Sequence, residues 1–305
     1  MRFIIFVLLG LQIHCTAQSY SLSNDVKRIV FLGNSITYSG KYISYIDAYF
    51  TILYPEKHFE FINLGLPSET VSGLSEPNHA DGKFARPDLH ERLERLLVKI
   101  KPDLVLACYG MNDGIYMPFD EDRFHKYKEG MGWLHDQILK SGASLLLITP
   151  PVFDERKGKA YSNVLDIYSN WLISCRYTSN WEVIDIHWPM KKYLEEQRLT
   201  DSLFLFADDG IHPNEIGHFI ITKQILLYLG ETEFANAKDI KNALSNYENG
   251  DAILSLIEKR QKIVKDAWLT FIGHKRPSMD VGLPITEANT QCDEINKQIQ
   301  ALLKQ

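Results

Sequence analysis

Five short apolar runs, at 26–32, 59–64, 104–109, 145–149 and 183–186, alternate with segments whose apolar residues recur at helical spacing. Each run is rich in Val, Ile, Leu or aromatic residues and lacks strict polar alternation, the pattern of strands covered on both faces. Helical patterns at 89–100 and 124–139 lie between them. Strand, helix and strand in succession require a parallel sheet with right-handed crossovers. The expected fold is therefore α/β: a three-layer α/β/α sandwich, flavodoxin-like, on a five-stranded parallel sheet.

The chain of 305 residues is long enough for one such domain and an addition to it. Met1-Arg2, an apolar stretch over 3–11 and the small residues of Cys15-Thr16-Ala17 read as a cleaved signal peptide, 1–17, on a secreted or periplasmic protein. The stretch is shorter than the roughly 20 residues needed to span a bilayer, so no stable membrane insertion is expected. His14 is too large for the lipoprotein processing site that Cys15 would otherwise suggest. A net charge of -6 gives no reason to expect a nucleic-acid partner. Removal of the signal leaves Cys108, Cys175 and Cys292, an odd number that makes no disulfide framework. No Cys or His spacing suggests a metal site, and no cofactor is expected. After the main domain, 18–235, residues Ile253, Leu256, Ile257, Val264, Trp268 and Phe271 form a helical stripe. Ile295, Ile299, Leu302 and Leu303 mark a second helix, so 236–305 reads as a helical extension packed on the sandwich.

Gly33-Asn34-Ser35 ends the first apolar run, where a strand should turn into a helix at the carboxyl edge of the sheet. Asn63-Leu64-Gly65 ends the second run and Tyr109-Gly110-Met111-Asn112-Asp113 the third. Asp208-Asp209-Gly210-Ile211-His212-Pro213-Asn214 precedes a helical pattern over 215–229. Polar, Gly- and Pro-containing stretches at 66–88, 150–160 and 198–213 read as long loops able to converge on one edge. A competing acid–histidine pair, Asp185-Ile186-His187-Trp188, ends the fifth run, where alternate residues of a strand share a face.

Gly33-Asn34-Ser35, Gly65, Asn112 and Asp209-x-x-His212 stand in the order and context of the SGNH, or GDSL-like, hydrolases, which the chain resembles over about 26–230. The resemblance implies Ser35 as nucleophile, His212 as general base and Asp209 as the acid that orients the imidazole. It implies an oxyanion hole made by the backbone N–H groups of Ser35 and Gly65 and the Asn112 side-chain amide. Asn34 stands where the family name has aspartate, so any role of charge at that position is lost. Thr37 occupies the second-glycine position of the Gly-x-Ser-x-Gly elbow, which separates the chain from the α/β-hydrolases. The expected activity is hydrolysis of an ester through an acyl-enzyme, with an O-acetyl group on carbohydrate as first choice. Tyr38, Tyr109 and Trp188, near strand ends, are the candidates for contact with such a small-molecule or polysaccharide substrate. The alternatives are a lipid esterase or thioesterase, which the polar 66–88 segment disfavours, and a non-catalytic carbohydrate-binding protein. Nothing in the sequence sets the oligomeric state.

Overall fold

The computed structural model describes residues 19–304, so the expected signal peptide lies outside the described residues. Strands β1 (Arg28–Gly33), β2 (Glu60–Asn63), β3 (Leu104–Cys108), β4 (Ser144–Ile148) and β5 (Val183–Ile184) form one sheet in the order β2-β1-β3-β4-β5. Every pairing is parallel, with Phe31 opposite Asn63 on one side and Leu106 on the other. This is the expected three-layer α/β arrangement. Val30, Leu32, Leu104, Val105, Leu146 and Ile148 are fully buried, as strands covered on both faces must be.

Helices connect and cover the strands. After β1 come α1 (Ser35–Ser39) and α2 (Lys41–Leu53), separated by Gly40 in the left-handed region at φ 75°. The later crossovers carry α3 (Leu93–Ile100), α4 (Glu121–Lys140) and α5 (Glu155–Thr178), and α6 (His187–Arg198) follows the last strand. Then follow α7 (Glu215–Tyr228), α8 (Ile240–Leu244), α9 (Gly250–Ile272) and α10 (Ile285–Leu302).

The expectations for 66–88 and 198–213 hold in outline, but 150–160 is only half a loop. Asp154 caps α5 by accepting from the Arg156 N–H at 3.0 Å, and the helix then runs on from Glu155 through a break at Gly158. The glycine and lysines of that stretch concealed a helix that its later apolar face stabilises.

The C-terminal helices pack on the sandwich. α9 lies against α2 and the edge strand β2, and α10 against α9. A polar anchor secures the junction: the buried Asp47 carboxylate of α2 accepts from Arg260 and Gln261 of α9, both at 2.6 Å. Arg95 and Lys99 of α3 donate to the Ile272 and Phe271 carbonyls at the end of α9, where cations complement the helix dipole.

Gly65 shows how tightly the carboxyl edge is packed. A Cβ there would stand 2.2 Å from the Tyr38 backbone N and 2.6 Å from the Thr37 carbonyl carbon. We expect Gly65→Ala to destabilise the fold by about 1–3 kcal/mol in chemical denaturation, because backbone on backbone cannot yield as a side chain can.

Candidate active site

The sheet order reverses between β1 and β3, and open α/β sheets hold their ligands at such a switch point. Ser35 leaves β1 there. Asn34, 3% exposed, caps α1 by accepting from the Ile36 N–H at 3.1 Å. Capping needs an acceptor oxygen and no charge, which explains why asparagine serves where the family name has aspartate. The Ser35 N–H, first in its helix, has no acceptor among the described residues.

Histidine and acid arrive on the loop before α7. The Asp209 carboxylate accepts from the backbone N–H groups of Ile211 at 2.8 Å and His212 at 2.9 Å. Its other oxygen stands 2.6 Å from His212 Nδ1. A carboxylate only accepts, so Nδ1 carries the proton and Nε2 presents a lone pair. That Nε2 lies 2.7 Å from Ser35 Oγ. Burial works against the Asp209 charge, but the His212 ring and the two N–H groups hold its carboxyl below the usual range. The loop is fixed at both ends. Gly210 O accepts from the Asp154 N–H at 3.1 Å, and Asn214 caps α7 at Gly217 N. Ser39 of α1 is hydrogen-bonded at 3.1 Å to the buried His218 of α7, a direct link between the serine and histidine supports.

Asn112 follows β3. Its Nδ2 donates to the Glu69 carbonyl at 3.1 Å and its Oδ1 accepts from the Tyr116 hydroxyl at 2.9 Å. The carbonyl partner sets the amide orientation, and the second Nδ2 hydrogen has no partner among the described residues. Gly65, expected as a donor, is otherwise engaged: its N–H goes to Asn63 Oδ1 at 2.9 Å. The Asn63 amide nitrogen in turn donates to the Thr37 carbonyl at 2.7 Å, joining β2 to α1. Gly65 is glycine because it touches α1, not because a substrate must approach it. Ser68 is the residue that sequence reasoning missed. It holds a left-handed φ of 68°, and its N–H donates to no group among the described residues. A non-glycine residue in that conformation stores strain of the kind found at functional sites.

The 66–88 loop is held from beneath. Glu69 and Arg92 form a buried, bidentate ion pair at 2.6 and 2.7 Å, joined by the Tyr109 hydroxyl at 2.6 Å and the Leu64 carbonyl at 2.7 Å. Burial pushes the Glu69 carboxyl up, and Arg92 opposes that shift. Asp113, also buried, accepts from the N–H groups of Gly110, Val71 and Ser72, each at 2.9 Å. Tyr109 is thus a packing residue with no face to offer a substrate, because its ring is enclosed with its hydroxyl on Glu69. Tyr116 instead comes close: Ile115 and Tyr116 are both left-handed, at φ 57° and 52°, and Arg86 lies 5.3 Å over the Tyr116 ring.

Trp188 sits on α6, its indole N–H on Asn170 of α5 at 3.0 Å, and is not brought to Ser35 by any contact among the described residues. Its neighbours do not form the competing pair either. His187 Nε2 meets Asp166 at 2.8 Å and Nδ1 meets the Pro150 carbonyl at 3.0 Å, while Asp185 accepts from Thr149 and the Trp188 N–H. Tyr38 remains beside Ser35, one turn along α1.

The profile of the GDSL-like lipase/acylhydrolase family matches residues 31–220. The chain belongs to this family. No curated protein matches it. Among solved structures it is similar to an acetylxylan esterase from Geobacillus stearothermophilus, at 20% identity and a TM-score of 0.53, over 67% of this chain and 94% of that one. A hydrolase from the metagenome of Lake Arreo, Spain, is similar at 21% identity and a TM-score of 0.54, over 70% and 98%. A gut microbial diltiazem-metabolizing enzyme is similar at 20% identity and a TM-score of 0.57 over 70% of this chain, which spans 49% of that enzyme's length. These likenesses concern the fold, and the family membership makes the chain an ester-hydrolysing enzyme.

Two outcomes test the supports of this GDSL-like site. Arg92→Met should destabilise the protein by about 3–5 kcal/mol in urea titration, because it strands the Glu69 carboxyl in the interior. Burial lowers the His218 imidazole to about 3. The unfolded chain takes up this proton below about 6.5, the folded chain only near 3, so stability falls as pH drops across that window. His218→Gln should remove a slope of about 1.4 kcal/mol per pH unit between roughly pH 6 and 4.

Proposed function

We propose that the protein is a secreted serine esterase that removes short acyl groups, acetyl foremost, from carbohydrate. The observation that carries the reading is the hydrogen-bonded line from Ser35 Oγ through the His212 ring to Asp209, at 2.7 and 2.6 Å. A serine hydroxyl becomes a useful nucleophile when a base of this kind stands within reach.

In the proposed reaction Ser35 Oγ bonds to the ester carbonyl carbon while its proton passes to His212 Nε2. The carbonyl electron pair moves onto oxygen. We assign that charge to three donors without a partner among the described residues: the N–H groups of Ser35 and Ser68 and the second hydrogen of Asn112 Nδ2. Collapse of the intermediate breaks the bond to the alcohol oxygen, which takes the proton from His212. A water then gives its proton to His212 and attacks the acyl group, and Ser35 recovers its hydrogen as the acid leaves. Asp209 stays ionised throughout and stabilises the imidazolium.

Openness supports a large alcohol and a small acyl group. The His212 and Asp209 side chains are each 49% exposed, so the site admits a bulky polar leaving group. The adjoining loop is lined by the Glu76–Arg86 ion pair at 2.7 Å and by His79, which offer no apolar channel for a long acyl chain. The acetylxylan esterase of similar fold acts on such a substrate, and the leader expected at 1–17 would deliver the enzyme to extracellular polysaccharide.

Hydrolysis of p-nitrophenyl acetate tests the mechanism. Ser35→Ala should abolish turnover, and Asn112→Ala should lower kcat by about 10²–10³. Wild-type turnover by Ser35→Ala would end the reading.

A further inference from the structure

Helices α9 and α10 and the 273–284 segment between them lie beyond the residues matched by the family profile, yet α9 reaches the helix of the nucleophile and the segment reaches the loop beside it. Lys265 Nζ of α9 donates to the Tyr38 carbonyl at 3.1 Å, and the ammonium stands 3.7 Å from the centre of the Tyr38 ring. Tyr38 follows Ser35 by three positions in α1, a spacing that makes the two side chains neighbours on one helix face. Arg276 of the connecting segment donates Nε to the Pro67 carbonyl at 2.9 Å, one residue before Ser68. Its guanidinium lies 5.4 Å over the Phe84 ring at the far end of the same loop. Both stretches that flank the nucleophile are therefore held by the C-terminal region.

That region is well seated. A Cβ on Gly282 would fall 2.1 Å from the Asp266 backbone, and the Gly282 N–H donates to Thr270 Oγ1 at 2.8 Å. The connecting segment therefore lies directly on α9, itself anchored on Asp47. Tyr38 is only partly buried and stacks on no other ring among the described residues. Burial first, then Asp266 and Asp280, raise its hydroxyl, while Lys262 and Arg276 oppose that shift, and Lys262 itself pairs with Asp266 at 2.9 Å. A flat ring with a cation on one face, beside charged side chains of both signs, matches a sugar's apolar face and its polar edge.

We propose that the C-terminal region completes the alcohol side of the active site, with Lys265 as a positioning residue that holds the Tyr38 ring as a platform for the sugar bearing the ester. The proposal rests on the esterase reading for its substrate class, and binding tests it apart from turnover.

The experiment uses the full chain. In a Ser35→Ala background, calorimetry with an acetylated xylo-oligosaccharide should give saturable binding, weakened roughly tenfold by Lys265→Met and largely restored by Lys265→Arg. In the active enzyme Lys265→Met should lower the ratio of kcat/KM on that oligosaccharide to kcat/KM on p-nitrophenyl acetate by a similar factor, mainly through KM. Equal losses on both substrates, or unaltered binding in Ser35→Ala/Lys265→Met, would overturn the proposal. So would failure of the Ser35→Ala protein to bind the oligosaccharide at all. Normal binding without turnover in the wild type would instead overturn the esterase reading and leave the platform standing.

Discussion

Everything at the catalytic edge depends on β1 being paired in parallel on both sides. Because β2 and β3 run in the same sense as β1, three chain exits lie side by side at one edge. The nucleophile's turn leaves from the middle strand, the 66–88 loop from one neighbour and the Asn112 turn from the other. No side chain could bring these segments together if one strand were reversed. The chemistry is thus a consequence of topology first and of residue type second.

Topology brings the loops near each other, and hydrogen bonds from buried polar groups then fix their relative positions. Glu69, Arg92 and Asp113 are all enclosed, and each bonds backbone groups of a loop other than its own or a partner residue across the loop. Such groups add little net stability over a well-packed apolar core. What they supply is definition: the Glu69 carbonyl sets the orientation of the Asn112 amide, and Asp113 joins Val71 and Ser72 to the turn at Gly110. Asn63 does the same in the other direction, its one amide serving both Gly65 and Thr37.

The strands, the sheet class, the C-terminal helices and the Ser35, Asn112, Asp209 and His212 turns were legible in the sequence, because apolar runs and short motifs are local signals. The errors arose where the deciding interaction is distant. Tyr109 looked like a strand-end aromatic, but its partner Glu69 is 40 positions away. Gly65 looked like a donor, but its neighbour Tyr38 gives it a steric role. Ser68 carries no mark in the sequence that it adopts a glycine's backbone conformation; only φ reveals it. The decoy at Asp185 and His187 dissolved for the same reason, since His187 is claimed by Asp166 on another helix.

Asp209 grips its own loop through two main-chain N–H groups as well as the His212 imidazole, so acid and base form one four-residue cassette. The imidazole is therefore oriented by its own loop and not by the nucleophile, so it keeps its working tautomer whether or not the Ser35 hydroxyl is bonded to it.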